Sequence, residues 1–239
     1  MTTTNFGTDV LASLPDLPRW VEARGMLHAR RALVVDTADG CRLICGRKDR
    51  LVVPTSVELS PLLETTATRE VPGTSILLQD VMLPAGRYHL PDWKAEAATI
   101  YTLPPDRARG WRLPKWQTAP MTIDQIDAAE GLPLQLRDQL RDAVARTPVW
   151  SASKDGQPVA FAFAAQSTES WFDISVDTLE GARNQGLGRA AAQGLIVDRM
   201  LRGLRPVWSA VKSNEASHGL ARRLGFEPVD LLWVLTRNA

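Results

Sequence analysis

Arg183-Asn184-Gln185-Gly186-Leu187-Gly188-Arg189 is a glycine-rich turn set between two runs of different periodicity. Before it, Phe172-Asp173-Ile174-Ser175-Val176-Asp177-Thr178 alternates as a strand does. After it, Ala192, Leu195, Ile196 and Met200 recur at helical spacing, and Gly203 is placed to end that helix. A turn from strand to helix gathers unpaired backbone N–H groups at the positive end of the helix dipole, which suits an anion. Glycines at 186 and 188 let the main chain approach such an anion without Cβ collisions. The dinucleotide fingerprint Gly-x-Gly-x-x-Gly does not fit, because Ala191 stands three residues after Gly188. The P-loop pattern fails on both its spacing and its lysine.

A second motif follows in order. Pro206-Val207-Trp208-Ser209-Ala210-Val211 reads as a buried strand, and Ser213-Asn214-Glu215-Ala216-Ser217 opens a helix that closes at Leu224-Gly225-Phe226. Gly225 suits the left-handed position after a helix, with Phe226 folding back as its apolar contact. Arg183-x-x-Gly186-x-Gly188, followed by Asn214-x-x-Ser217 and Leu224-Gly225-Phe226, resembles the GNAT acyltransferase superfamily. The likeness spans roughly residues 119 to 239 and is plainest from 148 onward. It implies an α/β (α+β) fold with a mixed sheet, splayed central strands and flanking helices.

The resemblance also implies an activity, an acetyl-CoA-dependent transfer of acetyl to a primary amine by direct attack in a ternary complex. Gln185, Gly186, Leu187, Gly188 and Arg189 would wrap the pyrophosphate of acetyl-CoA, with Arg183 at the motif position. The strand ending at Thr178 would part from the one at Val207 to Val211, so that pantetheine pairs with the backbone of Val176 and Thr178. Asn214 would hold the pantetheine arm, although an N-cap is its plain alternative. Asp173 lies near where many relatives carry a glutamate base, with Asp177 second; both also read as sheet-surface carboxylates. The tyrosine that many relatives use to protonate the thiolate falls at Ala221. Ser217 and His218 lie on nearly the same helix face and are the substitutes.

The rest of the chain sets bounds. Its 239 residues suffice for one large domain or two small ones. With 28 basic and 27 acidic residues the net charge is +1, so no global pull toward nucleic acid or anionic membrane is expected. The first residues lack a basic flank and an apolar stretch, which points to the cytosol. Cys41 and Cys45 read as free buried thiols, and His28, His89 and His218 form no metal cluster.

Residues 1–103 are expected to form an N-terminal α/β region of unknown role, 104–120 a proline-rich linker, and 121–239 the acetyltransferase domain. In the first part, Trp20 to Leu27 reads as a helix, and Ala38-Asp39-Gly40 as the turn of a hairpin joining 31–36 to 41–47. Short strands at 51–53 and 75–78 flank a polar helix near 57–64. Pro104, Pro105, Pro114 and Pro120 argue against helix and central strand in the linker, which Trp111 and Trp116 would pin. In the last part, Leu136, Leu140, Ala143 and Val144 mark an amphipathic helix, and Lys154-Asp155-Gly156 turns a hairpin. The acceptor is a small-molecule or protein amine, no membrane partner is expected, and a homodimer is allowed. Two other readings stay open: a non-catalytic acyl-CoA sensor, and an RNA-linked enzyme using Arg107, Arg109 and Lys115.

Overall fold

The computed structural model describes residues 8–36, 42–46, 51–55, 75–79, 92–111 and 114–237. They form two compact units, one of 1–100, 209–215 and 228–239, the other of 101–208 and 216–227. The C-terminal stretch that the sequence groups as 121–239 therefore contributes to both.

The first unit opens with α1 (Thr8–Ser13), a short 3-10 turn at Pro18–Trp20 and α2 (Val21–His28), as the helical reading of 20–27 expects. Arg24, buried, donates to the Leu11 and Leu14 carbonyls and so caps the end of α1 from the neighbouring helix. Strands β1 (Ala32–Asp36), β2 (Arg42–Gly46) and β3 (Leu51–Pro54) pair antiparallel in chain order, and β4 (Ser75–Gln79) then pairs parallel with β3. The hairpin register runs to Asp36↔Arg42; its turn, Cys41, His89 and the helix expected near 57–64 lie outside the described residues.

The last strand, β11 (Glu227–Arg237), joins antiparallel to β4, with Leu232 opposite Gln79. Most of β5 (Trp93–Thr102) also belongs here. Leu43, Val52, Ile76, Leu78 and Leu235 make the apolar centre. Arg19 clasps Asp230 with two hydrogen bonds of 2.6 Å. Cys45 is free and only half-buried, and burial pushes its thiol up to about 11. It is a protonated thiol at neutral pH and no nucleophile.

The second unit contains α3 (Pro105–Arg109), β6 (Gln117–Met121), α4 (Ile123–Ala128) and α5 (Leu134–Val144). After them come β7 (Val149–Lys154), β8 (Gln157–Ser167), β9 (Trp171–Thr178), α6 (Leu187–Leu201), β10 (Arg205–Val211) up to Trp208, and most of α7 (Glu215–Leu224). Strand order is β10-β9-β8-β7-β6, antiparallel from β6 to β9 and parallel between β9 and β10. Each unit thus repeats one scheme, an antiparallel meander followed by one parallel strand.

Asp155 and Gly156, at φ 52° and 80°, make the two-residue turn that the Lys-Asp-Gly signal predicts. Leu136, Leu140 and Ala143 of α5 are buried with Ile126, Val149 and Phe161, as the amphipathic stripe predicts.

The segment 104–120 differs from its expectation as a linker without regular structure. Pro105 occupies the first turn of α3, where no N–H is needed, and Pro120 sits in β6, an edge strand bonded only to β7. The prolines are positioned where a helix start and a sheet edge tolerate them. Trp111 does act as a pin: its Nε1 donates to the Leu224 carbonyl at 3.2 Å. Among the described residues, no helix is long and apolar enough to cross a membrane.

Candidate active site

β9 delivers the chain through a 3-10 turn at Glu180–Ala182 to the glycine-rich loop. Asn184 and Gly186 both take left-handed conformations, at φ 60° and 85°, which asparagine and glycine tolerate best. The Gly186 carbonyl then accepts from Ala190 N at 3.0 Å, starting α6. The amides of Leu187, Gly188 and Arg189 precede that first bond, so the helix supplies them no carbonyl. They lie at the positive end of a 15-residue helix. The backbone of the loop thus has the donor set that a phosphate needs.

The two glycines serve different ends. A Cβ on Gly186 would meet nothing closer than Trp116 Nε1 at 3.8 Å, so this position is fixed by its backbone angle. A Cβ on Gly188 would stand 2.8 Å from Thr178 Oγ1 and 3.3 Å from Val176 Cγ1. Gly188 is therefore required for seating α6 on β9, a role internal to the protein that spacing alone does not reveal.

The loop is held from three sides. Trp116 Nε1 donates to the Gln185 carbonyl at 2.9 Å, Lys154 Nζ to Gln185 Oε1 at 2.9 Å, and Gln185 Nε2 to the Gly181 carbonyl at 3.1 Å. Arg183 Nε reaches the Thr178 carbonyl at 3.3 Å. Arg183 and Arg189 are both exposed. Gln185 is thus a clamp for the loop, held by Trp116 and Lys154, which the motif did not name.

β9 changes partners along its length. Its ladder with β10 covers Trp171, Phe172 and Asp173, ending at Asp173↔Val207. From Ile174 to Thr178 it is paired, among the described residues, with β8 alone, and its burial falls off from Ser175 onward. Val176 and Thr178 lie on this open edge, where amide groups of a ligand can extend the sheet.

Asp173 stands at the fork and is 6% exposed, so it is no sheet-surface carboxylate. Asp177 is half-buried; desolvation raises its pKa and the Arg183 charge partly offsets this. A raised carboxyl pKa means the native state keeps a proton that the unfolded chain has released. Stability should therefore fall as pH rises from the ordinary 3.8 through the elevated value, and the Asp177→Asn variant should show a flatter slope. Urea midpoints measured across acidic pH check this; parallel curves for the two proteins refute it.

α7 ends as its sequence predicts. Gly225 is left-handed at φ 91°, its N–H donates to Arg222, and Phe226 N–H returns to Ala221 at 3.0 Å. Ala221 is fully buried and supplies packing. Ser217 Oγ accepts from Trp208 Nε1 at 2.9 Å. His218 Nδ1 lies 2.8 Å from Tyr101 Oη, the rings crossing edge to face at 63°. Tyr101 is 2% exposed and comes from the end of β5, more than a hundred residues upstream. Asn214 belongs to the first unit, where its N–H donates to the Val211 carbonyl at 2.9 Å just before α7 begins. Loop, open strand edge, Asp173 and the Ser217–His218 pair thus fall in one unit, and Asn214 in the other.

A glycine loop at a helix start is thus fed by a strand whose parallel ladder stops short, at Asp173. Residues 150–232 match the family described as GNAT acetyltransferase. The fold is shared with a GCN5-related N-acetyltransferase from Kribbella flavida, at a TM-score of 0.65 and 17% identity over 92% of this chain and 94% of that one. A GCN5-related N-acetyltransferase-like protein from Streptococcus suis gives 0.63 and 19%, covering 97% of each chain. A GNAT-family acetyltransferase from Colwellia psychrerythraea gives 0.59 and 15%, covering 99% of each. These likenesses extend through the N-terminal residues that no motif marks. No curated protein matches the sequence.

Proposed function

We propose that the protein is an acetyl-CoA-dependent N-acetyltransferase acting on a primary amine. The observation that carries this reading is the end of the β9–β10 ladder at Asp173, with β9 running on, open-edged, to the helix start at Leu187. Acetyl-CoA, when bound, supplies the acetyl group as a thioester. The amides from Gln185 to Ala190 and the charge of Arg183 and Arg189 would hold its pyrophosphate. The backbone of Val176 and Thr178 would take its pantetheine amides as an added strand. Asp173, at the fork, would receive the proton of the attacking ammonium, directly or through water. Ser217 and His218 would face the departing sulfur.

The test measures CoA binding by calorimetry and thiol release from acetyl-CoA against a panel of amines. Acceptor-dependent release is expected, and Asp173→Asn should lower kcat by about 10²-fold or more while CoA affinity stays unchanged. Tight CoA binding with no release across varied amines would instead identify an acyl-CoA sensor. Absence of CoA binding would remove both readings.

A further inference from the structure

Tyr101 has no part in the motifs above, yet its hydroxyl is buried against the ring of His218. A buried hydroxyl must place its proton on an acceptor or bear the cost of leaving it unpaired, about 1–3 kcal/mol. The acceptor that the structure offers is His218 Nδ1, at 2.8 Å. Between a phenol and a neutral imidazole the direction is chemically clear. The phenol is the stronger acid, and the ring nitrogen's in-plane lone pair is the better acceptor than an oxygen conjugated to its ring. A neutral imidazole carries one proton, so a bond accepted at Nδ1 leaves that proton on Nε2. The edge-to-face contact, with ring centroids 5.8 Å apart, further restricts rotation of the imidazole.

We propose that Tyr101 is a positioning residue, which fixes His218 as a neutral Nε2–H donor for the sulfur that gains charge as the thioester opens. This rests on the acetyl-transfer reading. The role assigned to His218 is a hydrogen bond to the developing thiolate, with no proton required to leave the ring. Two elements that are distant in sequence, the end of β5 and the middle of α7, would then make one device. It is built within a single unit of the fold, and it occupies the helix on which Ala221 offers no polar group.

The experiment has a spectroscopic and a kinetic arm. Protein labelled with ¹⁵N-histidine is examined by long-range ¹H–¹⁵N correlation, with His218 assigned by its loss in His218→Gln. The wild type should show an unprotonated, hydrogen-bonded Nδ1 and a protonated Nε2, and Tyr101→Phe should move the Nδ1 resonance to that of a free ring nitrogen. A protonated Nδ1 in the wild type, or no change in the variant, overturns the proposal. In the kinetic arm, Tyr101→Phe should lower kcat roughly tenfold, with KM for acetyl-CoA within about twofold. The double variant Tyr101→Phe/His218→Gln should be no slower than His218→Gln alone. Additive losses, or an unchanged kcat in His218→Gln, overturn it as well. If no amine elicits thiol release, the acetyl-transfer reading falls, while the nitrogen spectra still decide whether Tyr101 fixes the tautomer.

Discussion

Replacing Gly186 by aspartate should weaken CoA binding about a hundredfold or more and leave the melting temperature within a few degrees of the wild type. The two halves of this expectation have separate causes. Gly186 is left-handed at φ 85°, a conformation that costs a non-glycine residue about 1–2 kcal/mol and aspartate less than most. Its Cβ would enter open space, 3.8 Å from the nearest atom. A carboxylate at the residue preceding α6 also favours the helix dipole, which offsets part of that strain. The fold is therefore nearly indifferent to the change.

A bound diphosphate would not be. One carboxylate about 5 Å from one phosphate charge costs about 3 kcal/mol at an effective dielectric constant near 20, enough for more than a hundredfold in affinity. Gly186→Asn shares the shape without the charge and should lose far less. Calorimetry on both variants, beside a thermal melt, measures the difference. Full affinity in Gly186→Asp would show that the loop does not hold the pyrophosphate.

Gly194 gives the largest expected loss of stability. It lies within α6, where alanine would normally gain about 1 kcal/mol in helix propensity. Here a Cβ would stand 2.3 Å from Trp150 Cε3 and 2.9 Å from Cδ2 and Cζ3. An indole ring has no flexible end to yield, so either the helix or β7 must shift. Overpacking of this kind costs about 1–3 kcal/mol and exceeds the propensity gain. Gly194→Ala should be destabilised by about 1 kcal/mol net, lowering the melting temperature by about 2–4 °C, and Gly194→Val by more. In a Trp150→Leu background the same alanine should cost much less, because the obstructing ring is gone. Equal costs in the two backgrounds would mean that the contact is not the cause.

The parts of the fold legible in the sequence are those whose local signals agree with their surroundings. The loop at 183–189, the Asp155-Gly156 turn and the Gly225 helix stop each depend on a backbone angle that few residues adopt, and each appears as expected. β5 was illegible for the opposite reason. Its Lys94-Ala95-Glu96-Ala97-Ala98 stretch favours a helix by composition, and the sheet overrides it. β11 buries only Leu232 and Leu235 fully, three positions apart, so no period of two marks it as a strand.

The candidate site divides in the same way. Backbone-determined positions such as Gly186 were readable, whereas Gly188's packing role depends on Thr178 and Val176 side chains. Tyr101 and Trp116 join the site through contacts with His218 and Gln185 far along the chain, and no spacing rule encodes such contacts. Asp173 reads in sequence as a base or as a surface carboxylate, and its burial at the ladder's end argues against the surface reading.

The pairing of β4 with β11 has a consequence for biosynthesis. β4 leaves the ribosome more than 150 residues before the strand it bonds to, with Gln79 opposite Leu232. The sheet of β1 to β4 must therefore wait, with a hydrogen-bonding edge and Leu78 uncovered, until β11 has been made. Closing a loop of that length adds little to the entropic cost but delays the contact. During that interval the nascent chain is a natural client for a chaperone, and slowing synthesis between β4 and β11 should raise its tendency to aggregate.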